Sequence, residues 1–137
     1  MTDDLERFVI AQDACWETVI AELRAAKKEG CWIWFVFPQI AGLGKSDMSK
    51  YYAIRSLDEA RAYLAHKDLG PRLQKVAELL LAAPADRSAV AILDDDAKKV
   101  RSSMTLFRLA DPSETIFQAV LDRFYAGGPV RLRRVKR

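Results

Sequence analysis

The sequence predicts a mainly α fold, a single compact multi-helical domain, and three observations carry that expectation. The chain has 137 residues, half of them hydrophobic, enough for one core that removes roughly two-thirds of the unfolded surface from water. Apolar positions recur at i, i+3, i+4 and i+7 along most of its length, the spacing of helices that bury one face. Helix-start and helix-stop signals then divide that pattern at short intervals. The domain is expected over residues 1–128, and residues 129–137 form a basic C-terminal tail read as a solvated, disordered end.

The elements follow in order. Positions 5, 8, 9 and 12, then 16, 19, 20 and 23, keep helical spacing, so residues 4–28 form one helix or two, closed by Gly30. Ser56-Leu57-Asp58-Glu59 is a capping box, with a helix running to about Leu64. Asp68-Leu69-Gly70-Pro71 ends that unit and opens the next, since proline suits a first helical turn. Leu73, Val76, Ala77 and Leu80 then face the core, and Ala97, Val100, Met104 and Phe107 repeat the pattern behind Asp94-Asp95-Asp96. The last helix starts at Asp111-Pro112-Ser113-Glu114, buries Phe117, Val120, Leu121 and Phe124, and stops at Gly127-Gly128. Residues 31–37 and 89–93 are continuous apolar runs that fit either one or two short buried strands or buried helical turns. Periodicity does not separate the two.

Charge and cysteine usage narrow the function classes. The formal charge is +3, but the last seven residues, RLRRVKR, carry +5, which leaves −2 on the rest of the chain. Nucleic-acid binding would therefore rest on the tail alone. Cys15 and Cys31 are too few for a disulfide framework and form no CxxC pair, so both are read as reduced and buried. The acidic N-terminus is unlike a signal peptide, and no apolar run reaches the roughly 18 residues of a membrane span, so a cytoplasmic protein is expected.

The stretch CWIWFVFPQIAGLGKS, residues 31–46, ends like a phosphate-binding loop. A true P-loop would place its first glycine where Gln39 stands, after Pro38, so the motif fails at the position that lets the backbone wrap a phosphate. Gly42 and Gly44 still offer the backbone freedom of a loop, and six aromatics fall within residues 31–52. Tryptophans two apart diverge on a strand or a helix, so one of Trp32 and Trp34 is expected to face a pocket.

Lys45, Ser46 and Ser49 are candidates for phosphate contact, although Ser46 or Asp47 equally suits a helix cap. Arg101, Ser102 and Ser103 place hydroxyls beside a cation mid-helix, where serine is mildly unfavourable, and either line the same pocket or face solvent. Gln39 is suited to orienting a ligand. His66, the only histidine, reads as a surface residue and Asp94–Asp96 as a helix-dipole complement, so no metal or cofactor is expected and no catalytic residue is assigned.

The string Trp32-x-Trp34-Phe35-x-Phe37-Pro38-Gln39-x-x-Gly42-Leu43-Gly44-x-Ser46 resembles a bacterial family catalogued as domain of unknown function 1810, some members of which carry the misleading label calpastatin. Leu5-Glu6-Arg7-Phe8, Ala11-Gln12, Ala60, Tyr63-Leu64, Leu69-Gly70, Lys99 to Phe107 and Phe117 to Asp122 extend the resemblance over almost the whole chain. It implies no function. A more distant likeness to the NADAR superfamily of ADP-ribose-linked N-glycosidases runs through Tyr51-Tyr52-Ala53, Lys99, Met104 and Ala119 to Phe124. That likeness implies a nucleotide-sized pocket. The glutamate of the NADAR pattern is missing from Ser49-Lys50-Tyr51-Tyr52, a departure that tells against hydrolysis.

Two readings result. In one, a nucleotide or ADP-ribose-type ligand is held by Trp32 or Trp34, Gln39, Gly42, Gly44, Lys45, Ser46, Tyr52, Arg101 and Ser102. In the other, segment 31–52 is the binding patch of a non-enzymatic protein-interaction module.

Overall fold

A computed structural model describes residues 5–125. The chain folds as α1 (Glu6–Arg24), α2 (Ile33–Val36), α3 (Asp47–Tyr51), α4 (Leu57–Ala65), α5 (Leu69–Leu81), α6 (Ala89–Leu93), α7 (Ala97–Ala110) and α8 (Ile116–Phe124). No strand occurs among the described residues, and the two apolar runs are short helices. Their buried positions explain why: Trp32, Ile33, Val36 and Phe37 in the first, and Ala89, Ile92 and Leu93 in the second, recur at helical and not alternate spacing.

α7 is the central helix, packed against α4 and α8, while α5 lies on α1, α4 and α8. Val100, Met104 and Phe107 are fully buried on its inner face. A chain of rings ties the layers together: Phe8 of α1 meets Tyr63 of α4 edge-on at 5.2 Å, Tyr63 meets Phe107 at 5.2 Å, and Phe107 meets Phe117 of α8 at 6.1 Å. Gln12, the polar member of the apolar face of α1, is buried with the rest.

Helix ends depart from expectation in instructive ways. α1 is one helix that stops at Arg24, short of the expected residue 28, and Ala26, not Gly30, takes the left-handed conformation (φ 56°) that closes it. Gly30 instead lies under Trp32. At α4 the Ser56 hydroxyl accepts from the Glu59 amide as a capping box requires, but the Glu59 carboxylate reaches back to the Arg55 amide, one residue earlier than expected. His66 has a structural task, its Nδ1 accepting from the amides of Asp68 and Leu69 at the start of α5. α8 begins at Ile116, because Asp111 closes a local turn with Ser113 before the helix starts, and Phe124 is half-buried.

Both cysteines are free, but the expectation that both are buried is corrected: Cys31 is exposed and Cys15 half-buried. Among the described residues no helix is long and apolar enough to cross a membrane. The Gly127-Gly128 stop and the tail at 129–137 lie outside the described residues.

Candidate functional site

The glycine segment is a loop closed at its base. Residues Gln39 to Ala41 run beside Ile54 in a parallel bridge, with the Ile54 amide donating to the Gln39 carbonyl and the Ala41 amide to the Ile54 carbonyl, each at 2.8 Å. Gly42 sits at φ 98°, where a side chain would be strained. Gly44 is required for space, since a Cβ there would come within 2.6 Å of Ser49 Oγ and 2.7 Å of Ser49 Cβ. Ser46 caps α3 by accepting from the Ser49 amide, and the Ser49 hydroxyl donates back to the Ser46 carbonyl.

This loop, α3, α2 and the start of α7 line a solvent-open cavity of about 710 Å³. Trp34, Gln39, Gly42, Gly44, Lys45, Ser46, Tyr52 and Ser102 are among the residues that line it. The fold thus brings together eight of the ten residues singled out from the sequence. It separates the other two. Trp32 is a core residue, 2 % exposed, whose indole N–H donates to Glu22 at 2.9 Å. Arg101 lies outside the lining, its guanidinium 5.9 Å from the Tyr125 ring. Ser103 is fully buried next to Ser102 and likewise does not reach the cavity.

Lys50, Lys98 and Lys99 join Lys45 in the lining. Lys98 and Ser102 share a helix face at i, i+4, a spacing visible in the sequence. What the sequence concealed is that α2 brings Trp34 to that face. The Lys99 ammonium stands 5.1 Å from the Trp34 ring centroid and 3.2 Å from Asp96, which also pairs with Lys28 at 2.6 Å. No Asp, Glu, His or Cys side chain lines the cavity among the described residues. Asp96 balances Lys99 from outside the lining, while Lys45, Lys50 and Lys98 meet no lining anion among the described residues, so a negatively charged guest is the complementary one. Burial and the adjacent Tyr51 push the Tyr52 hydroxyl above the ordinary phenol range, against the pull of Arg7, so Tyr52 offers the cavity a neutral donor.

His66 and Asp94–Asp96 do not line the cavity, and no group of three or more metal-ligating side chains occurs among the described residues. A second groove lies beside α3. It is lined by Glu6, Arg7, Ile10, Asp47, Lys50, Tyr51 and Arg55 and mixes both signs of charge.

Comparison with known proteins matches the chain to one family. Residues 2–133 match the family model described as Protein of unknown function (DUF1810). The chain is similar to the conserved hypothetical protein Rv1873 from Mycobacterium tuberculosis, with 46% identity and a TM-score of 0.91 over 93% of this chain and 91% of that one. No curated protein matches. The more distant likeness to the NADAR superfamily gains no support from these matches.

Proposed function

The chain belongs to the DUF1810 family, whose description assigns no activity, and we propose from its cavity that it binds a phosphate-bearing ligand of the nucleotide or ADP-ribose type. One observation carries this reading: three exposed lysines, beside Lys99 with its Asp96 partner, line one cavity with an indole and several hydroxyls and no lining acid among the described residues. Phosphate would sit among Lys45, Lys50 and Lys98. A planar base would lie against Trp34, where aromatic stacking is tolerant of base identity. The volume suits a nucleotide-sized molecule.

The chemistry favours binding over turnover. The lining provides no carboxyl or imidazole group to serve as general acid, base or nucleophile in glycosidic cleavage. A thermal-shift panel of ADP-ribose, NAD, ATP and inorganic phosphate tests the reading, because a ligand for the native state raises its apparent stability. A rise with a nucleotide, lost in Lys45→Ala, supports it; no rise at millimolar ligand overturns it.

The exposed side chains of Leu43, Met48 and Tyr51 favour a second reading, in which segment 31–52 docks a protein. That reading is expected to give self-association or partner capture sensitive to Tyr51→Ser and insensitive to Lys45→Ala.

A further inference from the structure

α1 does not line the cavity's aromatic-glycine walls, yet two of its side chains reach both. Arg7 is only 9% exposed, an unusual burial for a guanidinium. Its Nε donates to the Tyr51 carbonyl and its Nη2 to the Ala53 carbonyl, each at 2.8 Å, so it grips the backbone on both sides of Tyr52. Glu59 balances the charge at 3.6 Å and also accepts from the Arg55 amide at 2.7 Å. The return limb of the loop, from Tyr51 to Arg55, is therefore fixed at both ends, and Ile54 between them carries the bridge to Gln39 and Ala41.

Gln12, 1% exposed and five residues along the helix, reaches the segment that carries Trp34. Its amide nitrogen donates to the Phe35 carbonyl at 2.7 Å and to the Tyr63 hydroxyl at 3.0 Å, while its oxygen accepts from Arg72 at 3.3 Å. Phe35 follows Trp34, and its ring touches Tyr52 at 5.3 Å. Buried polar groups that bind backbone carbonyls cost desolvation unless satisfied. Here three of those hydrogen bonds, from Arg7 to the Tyr51 and Ala53 carbonyls and from Gln12 to the Phe35 carbonyl, end on segments that flank the cavity, while Tyr63 and Arg72 anchor Gln12 to α4 and α5.

We infer that Arg7 and Gln12 are positioning residues that set the gap between the Trp34 wall and the Tyr52 wall, a role in ligand binding that rests on reading the cavity as the anion site. Neither side chain acts on the ligand. Each holds one wall, and the rigid helix between them fixes the separation.

Amide hydrogen exchange separates this from a general contribution to folding, since it reports opening residue by residue. The Ile54 amide bonds across the loop base, and the Phe37 amide bonds to the Ile33 carbonyl of α2. In Arg7→Lys, Ile54 exchange is expected to rise about tenfold with Phe37 unchanged; in Gln12→Leu, Phe37 exchange rises about tenfold with Ile54 unchanged. Amides in α5 and α8 serve as the reference. ADP-ribose affinity is expected to fall about tenfold in either variant. Millimolar guanidinium is expected to restore Ile54 protection in Arg7→Ala. Uniform acceleration over all helices, or unchanged exchange at both reporters, overturns the inference. If the wild-type protein binds no ADP-ribose while the wall-specific exchange pattern holds, positioning stands and the ligand reading fails.

Discussion

The Lys99 ammonium faces the Trp34 indole at 5.1 Å and is tethered there by Asp96 at 3.2 Å. A cation is thus held beside a ring in the lining of a cavity that has three more lysines. If a base stacks on that ring, Trp34→Ala is expected to weaken ADP-ribose binding about tenfold or more, and Trp34→Phe less. Isothermal titration checks both.

The lysines are expected to act mainly through charge. Lys45→Ala and Lys98→Ala should each lower affinity about five- to tenfold at low ionic strength, and the difference from wild type should shrink as salt screens the exposed site. Salt titrations of the three proteins read this directly. Equal losses at all ionic strengths would point to a shape effect instead.

Two glycines separate site from scaffold. Gly44→Ala forces Ser49 aside and is expected to cost about 1–3 kcal/mol with loss of binding, while adding Ser49→Gly recovers part of both. Gly70→Ala drives a Cβ to within 2.1 Å of the Leu64 carbonyl oxygen, which cannot rotate away. The expected result is a larger loss of stability, measured by urea unfolding, with little effect on affinity in whatever fraction remains folded.

The pH dependence follows from two groups. Burial pushes the Glu22 carboxyl up, but the amides of Glu29 and Gly30, the Trp32 indole and Lys28 outweigh it and hold the group below its ordinary value of 4.5. A depressed acid contributes stability above its unfolded value, and that contribution is lost as pH falls through the folded one. Glu22→Gln is therefore expected to be less stable at pH 7 and to show a flatter acid limb below pH 4.5. At the other extreme, burial raises the Tyr63 hydroxyl above its ordinary 10.0, with Gln12 and Arg72 opposing. Stability should be intact below pH 10 and fall above it, less steeply in Tyr63→Phe.

Thiol labelling should resolve the two cysteines. Cys31 is exposed, whereas Cys15 is half-buried and its thiol is raised by burial and by Glu22. One fast and one slow reaction with a thiol reagent are expected at pH 8, and Cys31→Ser removes the fast phase.

Much of the fold was legible because amphipathic spacing and caps are local. The inner faces of α5 and α7, the Ser56 cap and the proline-led start of α5 could all be read residue by residue. The short α2 and α6 could not, since continuous apolar runs look alike as strand or helix until their neighbours are known. The same limit governs the site. The glycine loop and Trp34 stood out by composition, whereas Lys98 and Lys99 became part of the cavity only through packing of α7 beside α2. Trp32 misled because an indole two residues from Trp34 carries no local mark of its bond to Glu22. Arg7 was visible only as a member of a matching string and Gln12 only as that and as a position on the inner face of the first helix, since a polar side chain there does not declare the carbonyls it will meet.

Location of the ligand is the most direct test, and the indole N–H resonances of Trp16, Trp32 and Trp34 provide three natural reporters. On titration with ADP-ribose, the Trp34 resonance is expected to move together with amides of residues 41–46 and 98–102, while Trp32, buried against Glu22, stays in place. Silence at millimolar ligand, or movement confined to the groove around Ile10 and Tyr51, would contradict an anion site in this cavity.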